Sequence, residues 1–209
     1  MNSTYPPVEV KVWGDFACFT RPENKVERVS YEVPTPSAAR GVLEAIFFHP
    51  PMQWRVREIA VLKPVRPFSI LRNEVNCKAS PRVDGIDIVE RRAQRHSLIL
   101  RDVAYIIRAD VYIPPGSTSA DPAKYRDQFR RRVERGQCFH RPCLGCREFA
   151  ADFSPVTPED SPLELSKDLG LMLFDLDYEE KRAYPRFFNA RLDGGVLRVP
   201  AELYEGGVS

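Results

Sequence analysis

The chain has 209 residues, 43% of them hydrophobic and 29% charged, with a formal net charge of +2. That apolar content is enough for a sizeable core, and no run of 18 apolar residues offers a membrane span. The N-terminal MNSTYPPVEVKVWGD has no basic stretch leading into an apolar one and does not read as a secretory signal, so the five cysteines are expected to be free thiols in a reducing cytoplasm.

Val8, Val10 and Val12 alternate with polar residues and predict a strand over 8–13 with one buried face. Thr35 is a predicted helix N-cap with Pro36 at the first helical position. The helix that follows, predicted to run to His49, buries Ala39, Val42, Leu43 and Ile46, and Pro50 and Pro51 stop it. Residues 56–65 predict a second strand, and 66–85 (RPFSILRNEVNCKASPRVDG) a hairpin projecting from the sheet. The polar, basic stretch 81–101 has no period and reads as loop. Val103, Tyr105, Ile107, Ala109, Val111 and Ile113 then share one face of a strand. Asp121 and Pro122 open a further helix, which Gly136 closes, and residues 146–153 predict another strand. Beyond it, LMLFDLDY and the hairpin RFFNARLDGGVLRV, turning at Asp193-Gly194-Gly195, are β-rich.

The order β–α–β, hairpin, β–α–β predicts an α+β fold: a ferredoxin-like (RRM-like) domain over residues 1–150 with a projecting β-hairpin. Residues 151–209 are expected to form a small C-terminal antiparallel β domain. The two portions differ in charge. The first carries 25 Lys/Arg against 17 Asp/Glu, and the second 6 against 12. A basic body points to an anionic partner, nucleic acid first, although charge asymmetry also serves solubility.

The helix after Asp121 carries most of this signal. Tyr125, Phe129 and Val133 form one apolar stripe, expected to be core, while Lys124, Arg126, Arg130, Arg131, Arg132 and Arg135 occupy the other faces. Like charges at this density repel by a few tenths of a kcal/mol per i,i+4 pair, a cost that a polyphosphate partner offsets through counterion release. In CFHRPCLGC, Cys138, His140, Cys143 and Cys146 crowd into nine residues with no second ligand pair elsewhere. Structural thiols fit that spacing better than zinc. The three histidines are His49, His96 and His140, and two of them follow predicted helices. An imidazole beside a phosphate is a natural general acid or base near neutral pH. No compact Asp/Glu cluster of the kind a two-metal nuclease needs is present.

The blocks VKVWGDFACFTRPENKVERVSYEVPTPSAARGVLEAIF, LRNEV and RGQCFHRPCLGCREF resemble the CRISPR-associated Cas-five family in its subtype I-C form, within the RAMP superfamily, from residue 8 to about residue 200. The resemblance implies the fold just described. It also implies an endoribonuclease that needs no metal or other cofactor and cuts precursor RNA at the base of the CRISPR repeat stem-loop, leaving a 2′,3′-cyclic phosphate. Such proteins stay on the 5′ handle of the guide as a subunit of the type I-C interference complex. Carried over by position, the family's Tyr falls on Phe47, its Lys on Lys124 and its His on Tyr125. Phe47 has no proton to move, so His49 is the substitute candidate, Tyr125 a second and His140 a third. Candidate RNA contacts are Lys25, Arg28, Arg40, Arg66, Arg72, Arg126, Arg130 and Arg131, with Phe68 and Trp54 as candidate stacking rings. Two other readings are a non-catalytic RNA-binding scaffold and a duplex-DNA-binding protein. No membrane partner is expected.

Overall fold

The computed structural model describes residues 6–24, 26–77, 85–117, 121–179 and 182–205. Strand β1 (Val8–Ala17) buries Val8, Val10 and Val12 as the alternation predicts. Helix α1 (Pro36–Ile46) starts at Thr35, whose hydroxyl accepts from the Ala38 N–H at 3.2 Å. A cap of this kind is worth about 1 kcal/mol. Strands β2 (Gln53–Val61) and β3 (Pro67–Val75) follow, then the single turn α2 (Ile88–Arg91) and the 21-residue strand β4 (Arg92–Tyr112). Helix α3 (Pro122–Glu134) is capped by the Asp121 carboxylate, which accepts from the Ala123 N–H at 2.9 Å. Its buried residues are Tyr125, Phe129 and Val133, the predicted stripe, and Gly136 follows with φ 62°. The chain ends in β5 (Asp152–Ser154), β6 (Lys167–Glu179), β7 (Arg182–Asp193), β8 (Val196–Arg198) and a 3₁₀ turn at Ala201–Tyr204.

The strands form one sheet in the order β5-β1-β4-β2-β8-β7-β6, with β3 paired to the first half of β4. Every strand pair is antiparallel. The second half of β4 lies between β1 and β2, while its first half runs out along β3, from Pro67 opposite Leu100 to Val75 opposite Arg92. Between those two stretches Asp102 adopts φ 54°, and its carboxylate receives Lys63 at 2.6 Å and Arg66 at 2.8 Å. The Lys63 hydrogen bond in particular holds the Asp102 carboxyl below the usual carboxylate range. Helix α1 packs on β2 and β6, and α3 on β1, β4, β5 and α1, so both longer helices share one core with the sheet. At its centre Trp54 meets Phe129 edge-on, ring centroids 4.9 Å apart, and donates its indole N–H to the Phe47 carbonyl at 2.9 Å.

Four local expectations change. Helix α1 ends at Ile46 rather than near His49, because other groups take its last carbonyls. The Phe139 and His140 amides both donate to Ala45 O, at 2.8 and 3.1 Å, and the Arg132 guanidinium donates to Ile46 O at 2.9 Å. The stretch 81–101 is not loop throughout, since residues from Arg92 onward are strand. Residues 146–149 are bends and turns, leaving only 152–154 as strand β5. The β6–β7 strands are longer than the apolar segments within them, and the turn between β7 and β8 falls at Gly194-Gly195 as predicted, both at positive φ.

Candidate active site and nucleic-acid interface

The C-terminal end of α1 gathers three of the four candidate acid–base positions. Phe47, the helix C-cap, adopts an extended backbone and turns a buried ring toward Tyr125, 6.1 Å between centroids. Two residues on, the exposed His49 reaches the same tyrosine from outside, with Nδ1 3.2 Å from the Tyr125 hydroxyl and the rings 5.2 Å apart. Tyr125 therefore has a buried ring and a hydroxyl pointed at an exposed imidazole. His140 hangs on the same helix end through its backbone bond to Ala45 O, with its side chain exposed. Lys124, exposed, is one residue from Tyr125 on α3.

The hydrogen bond between Tyr125 and His49 gives this arrangement chemical direction. When the imidazole carries its proton on Nδ1, it donates to the phenol oxygen and leaves Nε2 as an outward-facing base. In the other tautomer the phenol donates to Nδ1, and Nε2–H becomes a donor. Either way the phenol fixes the ring and leaves the second nitrogen for a substrate.

Arg132 is a residue that the sequence reading left on the cationic face and the structure assigns to this end of α1. Besides the Ile46 carbonyl it covers the Phe47 ring, with its guanidinium carbon 5.3 Å from the centroid. Its position three residues past Phe129, on the flank of the buried stripe, was the available signal.

The candidate RNA contacts divide by what they already hold. Arg130 and Arg131 point outward on α3, and among the described residues no ion pair reaches either. Arg126, less exposed, meets Asp127 at 3.2 Å. Arg40 is locked to Asp175 of β6 through both terminal guanidinium nitrogens, one at 2.9 Å, with its Nε 3.5 Å from Glu44. Arg66 holds Asp102. Arg28 and Arg72 share the carboxylates Glu74 and Glu148, which fastens the 146–148 loop to the outer half of β3. Lys25 lies outside the described residues. Of the two stacking rings, Trp54 is 2% exposed and closed to any ligand, a correction that follows from its packing on Phe129. Phe68 is half-buried and stacks on Phe16 at 5.9 Å. Gly41 on α1 is exposed, with open space where a Cβ would lie, so it makes no helix–sheet contact.

The cysteine-rich loop folds back onto the end of β1. A Cβ on Gly145 would lie 2.0 Å from the Cys18 carbonyl oxygen, so only glycine allows this approach. Cys146 Sγ then lies 3.3 Å from an Arg28 guanidinium nitrogen, 3.8 Å from the Thr20 hydroxyl and 3.6 Å from the Cys18 carbonyl oxygen. A hydrogen bond from the Cys18 thiol, then the Thr20 hydroxyl and the Arg28 charge, lower the Cys146 thiol to about 6 against the opposing effects of burial and Glu148. Cys18 moves the other way, raised by the same thiol pair and by burial.

Comparison with known proteins bears on the same residues. The family model of CRISPR-associated protein (Cas_Cas5) matches residues 8–200. A "CRISPR pre-crRNA endoribonuclease Cas5d" of Thermus thermophilus is 49% identical, over 95% of this chain and 93% of that protein. Its namesake from Mannheimia succiniciproducens is 43% identical, over 92% and 94%. Among solved structures, a CRISPR-associated protein superposes with a TM-score of 0.70 at 22% identity, covering 94% of this chain and 93% of that one. A chain of a CRISPR RNA-guided surveillance complex superposes with a TM-score of 0.53 at 13% identity, covering 94% and 92%. These two likenesses are of fold.

Proposed function

This chain belongs to the CRISPR-associated Cas5 family in its subtype I-C form, and from that premise we propose that it is the metal-independent endoribonuclease that cuts CRISPR precursor RNA at the repeat stem-loop. We propose further that it stays on the 5′ handle of the guide as a subunit of the type I-C interference complex. The observation that carries the reading is the 3.2 Å hydrogen bond between Tyr125 and the exposed His49, one residue from Lys124. The antiparallel order β5-β1-β4-β2 supports a ferredoxin-like body over residues 1–150, completed by β5 from just past that boundary, with 151–209 as the small β unit.

In this reading His49 Nε2 takes the proton of the attacking 2′-hydroxyl while the Tyr125 hydroxyl holds Nδ1. The 2′-oxygen bonds to phosphorus, the bond from phosphorus to the 5′-oxygen breaks, and a 2′,3′-cyclic phosphate results. The Lys124 ammonium stabilises the charge that builds on the phosphoryl oxygens. Protonated His140 supplies the proton to the departing 5′-oxygen. Neither step draws on a metal ion.

A cleavage assay on repeat RNA in EDTA tests this. We expect site-specific cutting to a cyclic phosphate, a bell-shaped pH–rate profile, and a loss of about 10²–10⁴-fold in His49→Ala, the usual contribution of a general base. Lys124→Ala should fall by a comparable order. Tight binding without cutting would make the protein a scaffold, and metal-dependent loss of duplex DNA would make it a DNA enzyme. Cleavage at the wild-type rate by both single variants would overturn the site.

A further inference from the structure

In-line attack needs the 2′-oxygen, the phosphorus and the departing 5′-oxygen near one line. A regularly stacked strand holds them far from it, so the two nucleotides at the cut have to leave the stack. Their bases then need a surface that replaces the lost stacking.

Two exposed phenyl rings border the candidate acid–base groups. Phe139 is 74% exposed and Phe48 51%. Phe48 immediately precedes His49, and Phe139 immediately precedes His140, whose ring centroid is 5.7 Å away. Both are presented by fixed backbone. The Phe139 and His140 amides are bonded to Ala45 O, and Phe48 follows the helix cap Phe47, whose N–H donates to Leu43 O at 2.8 Å. The packing at this helix end is supplied by Phe47, Tyr125 and Arg132, not by these two rings. Among the described residues Phe48 makes no ring contact, and Phe139 makes one only with His140. Other highly exposed rings, Tyr178 and Tyr184, lie near the turn of the β6–β7 hairpin and adjoin none of the acid–base candidates.

We propose that Phe139 and Phe48 are stacking platforms for the two unstacked nucleobases that flank the scissile phosphate. This rests on the endoribonuclease reading and deepens it: the site selects RNA whose cut dinucleotide can be splayed. A phenyl face accepts any base, so these rings position the reacting nucleotides while leaving sequence recognition to other contacts. His49 and His140 each stand beside one of these rings.

Single-turnover cleavage and binding of repeat RNA in EDTA, by wild type, Phe139→Ala, Phe48→Ala, Phe139→Trp and Phe139→Leu, tests the idea. Each protein is assayed on intact RNA and on RNAs made abasic at one or other nucleotide flanking the cut. We expect each alanine variant to lose roughly 5- to 150-fold in affinity or cleavage rate, the range that base–aromatic stacking gives on truncation. Tryptophan should restore Phe139 function and leucine should not. On the RNA lacking the partner base, the alanine variant and wild type should behave alike. Alanine variants that match wild type on intact RNA, or losses that persist on every abasic RNA, would overturn the proposal while leaving the endoribonuclease reading intact. A wild-type protein that neither binds nor cuts repeat RNA would instead remove the reading beneath it.

Discussion

Cys146 shows how a residue's chemistry is set by neighbours far away in the chain. Its sulfur meets Arg28 from the loop after β1 and lies beside Cys18 at the end of that strand, 128 residues earlier. With the thiol lowered to about 6, the thiolate predominates at pH 7. We therefore expect iodoacetamide labelling of Cys146, followed by peptide mass spectrometry, to rise with a midpoint well below that of ordinary thiols. Cys18→Ala should move the midpoint upward most and Arg28→Met by less; a midpoint that neither variant moves would show that these contacts do not hold the thiolate. At this scale the sequence displayed the residue types of CFHRPCLGC but not their partners. Cys18 and Arg28 reach the loop only through the sheet and the tight passage at Gly145.

Among the elements, α3 is the one whose period carried the most information. Its stripe of Tyr125, Phe129 and Val133 was legible because helical spacing is local, as were the Thr35-Pro36 and Asp121-Pro122 starts and the Gly194-Gly195 turn. Phe129 is fully buried against Trp54, so Phe129→Ala should cost about 3–5 kcal/mol, read as a lower denaturant midpoint with an unchanged m-value. The first half of β4 was not legible. Along the projecting hairpin the half-buried positions include Arg72, Glu74 and Arg95 while Leu71 and Val75 are exposed, so hydrophobicity does not follow the period of two that marks a strand. What makes residues 92–100 a strand is the hydrogen-bonded register with β3. The end of α1 was not legible for a related reason, since its last carbonyls are taken by Arg132, Phe139 and His140, about 90 residues downstream.

Across the whole molecule, the charge split proves to be partly internal. The acidic C-terminal portion neutralises the basic body through Arg40 with Asp175, Lys11 with Asp160 and Arg141 with Asp152. Arg28, Arg66 and Arg72 are likewise committed to carboxylates within the body. Among the described residues predicted to contact RNA, Arg130 and Arg131 on the outer face of α3 are reached by no ion pair. If each meets one phosphate, the double variant Arg130→Ala/Arg131→Ala should weaken repeat-RNA binding and flatten the slope of log K against log salt by about 1.4. An unchanged slope would move the RNA path off this helix.

The sequence by itself determined the α+β class, the helix starts, the buried stripe of α3, the tight hairpin turn and the family, because each depends on neighbours in the chain or on long blocks of residue identity. Only the tertiary structure decided that His49 meets Tyr125, that Arg132 closes α1, and which arginines are already occupied. Those facts depend on side chains brought together across tens to more than a hundred residues, and local propensity carries no record of such partners.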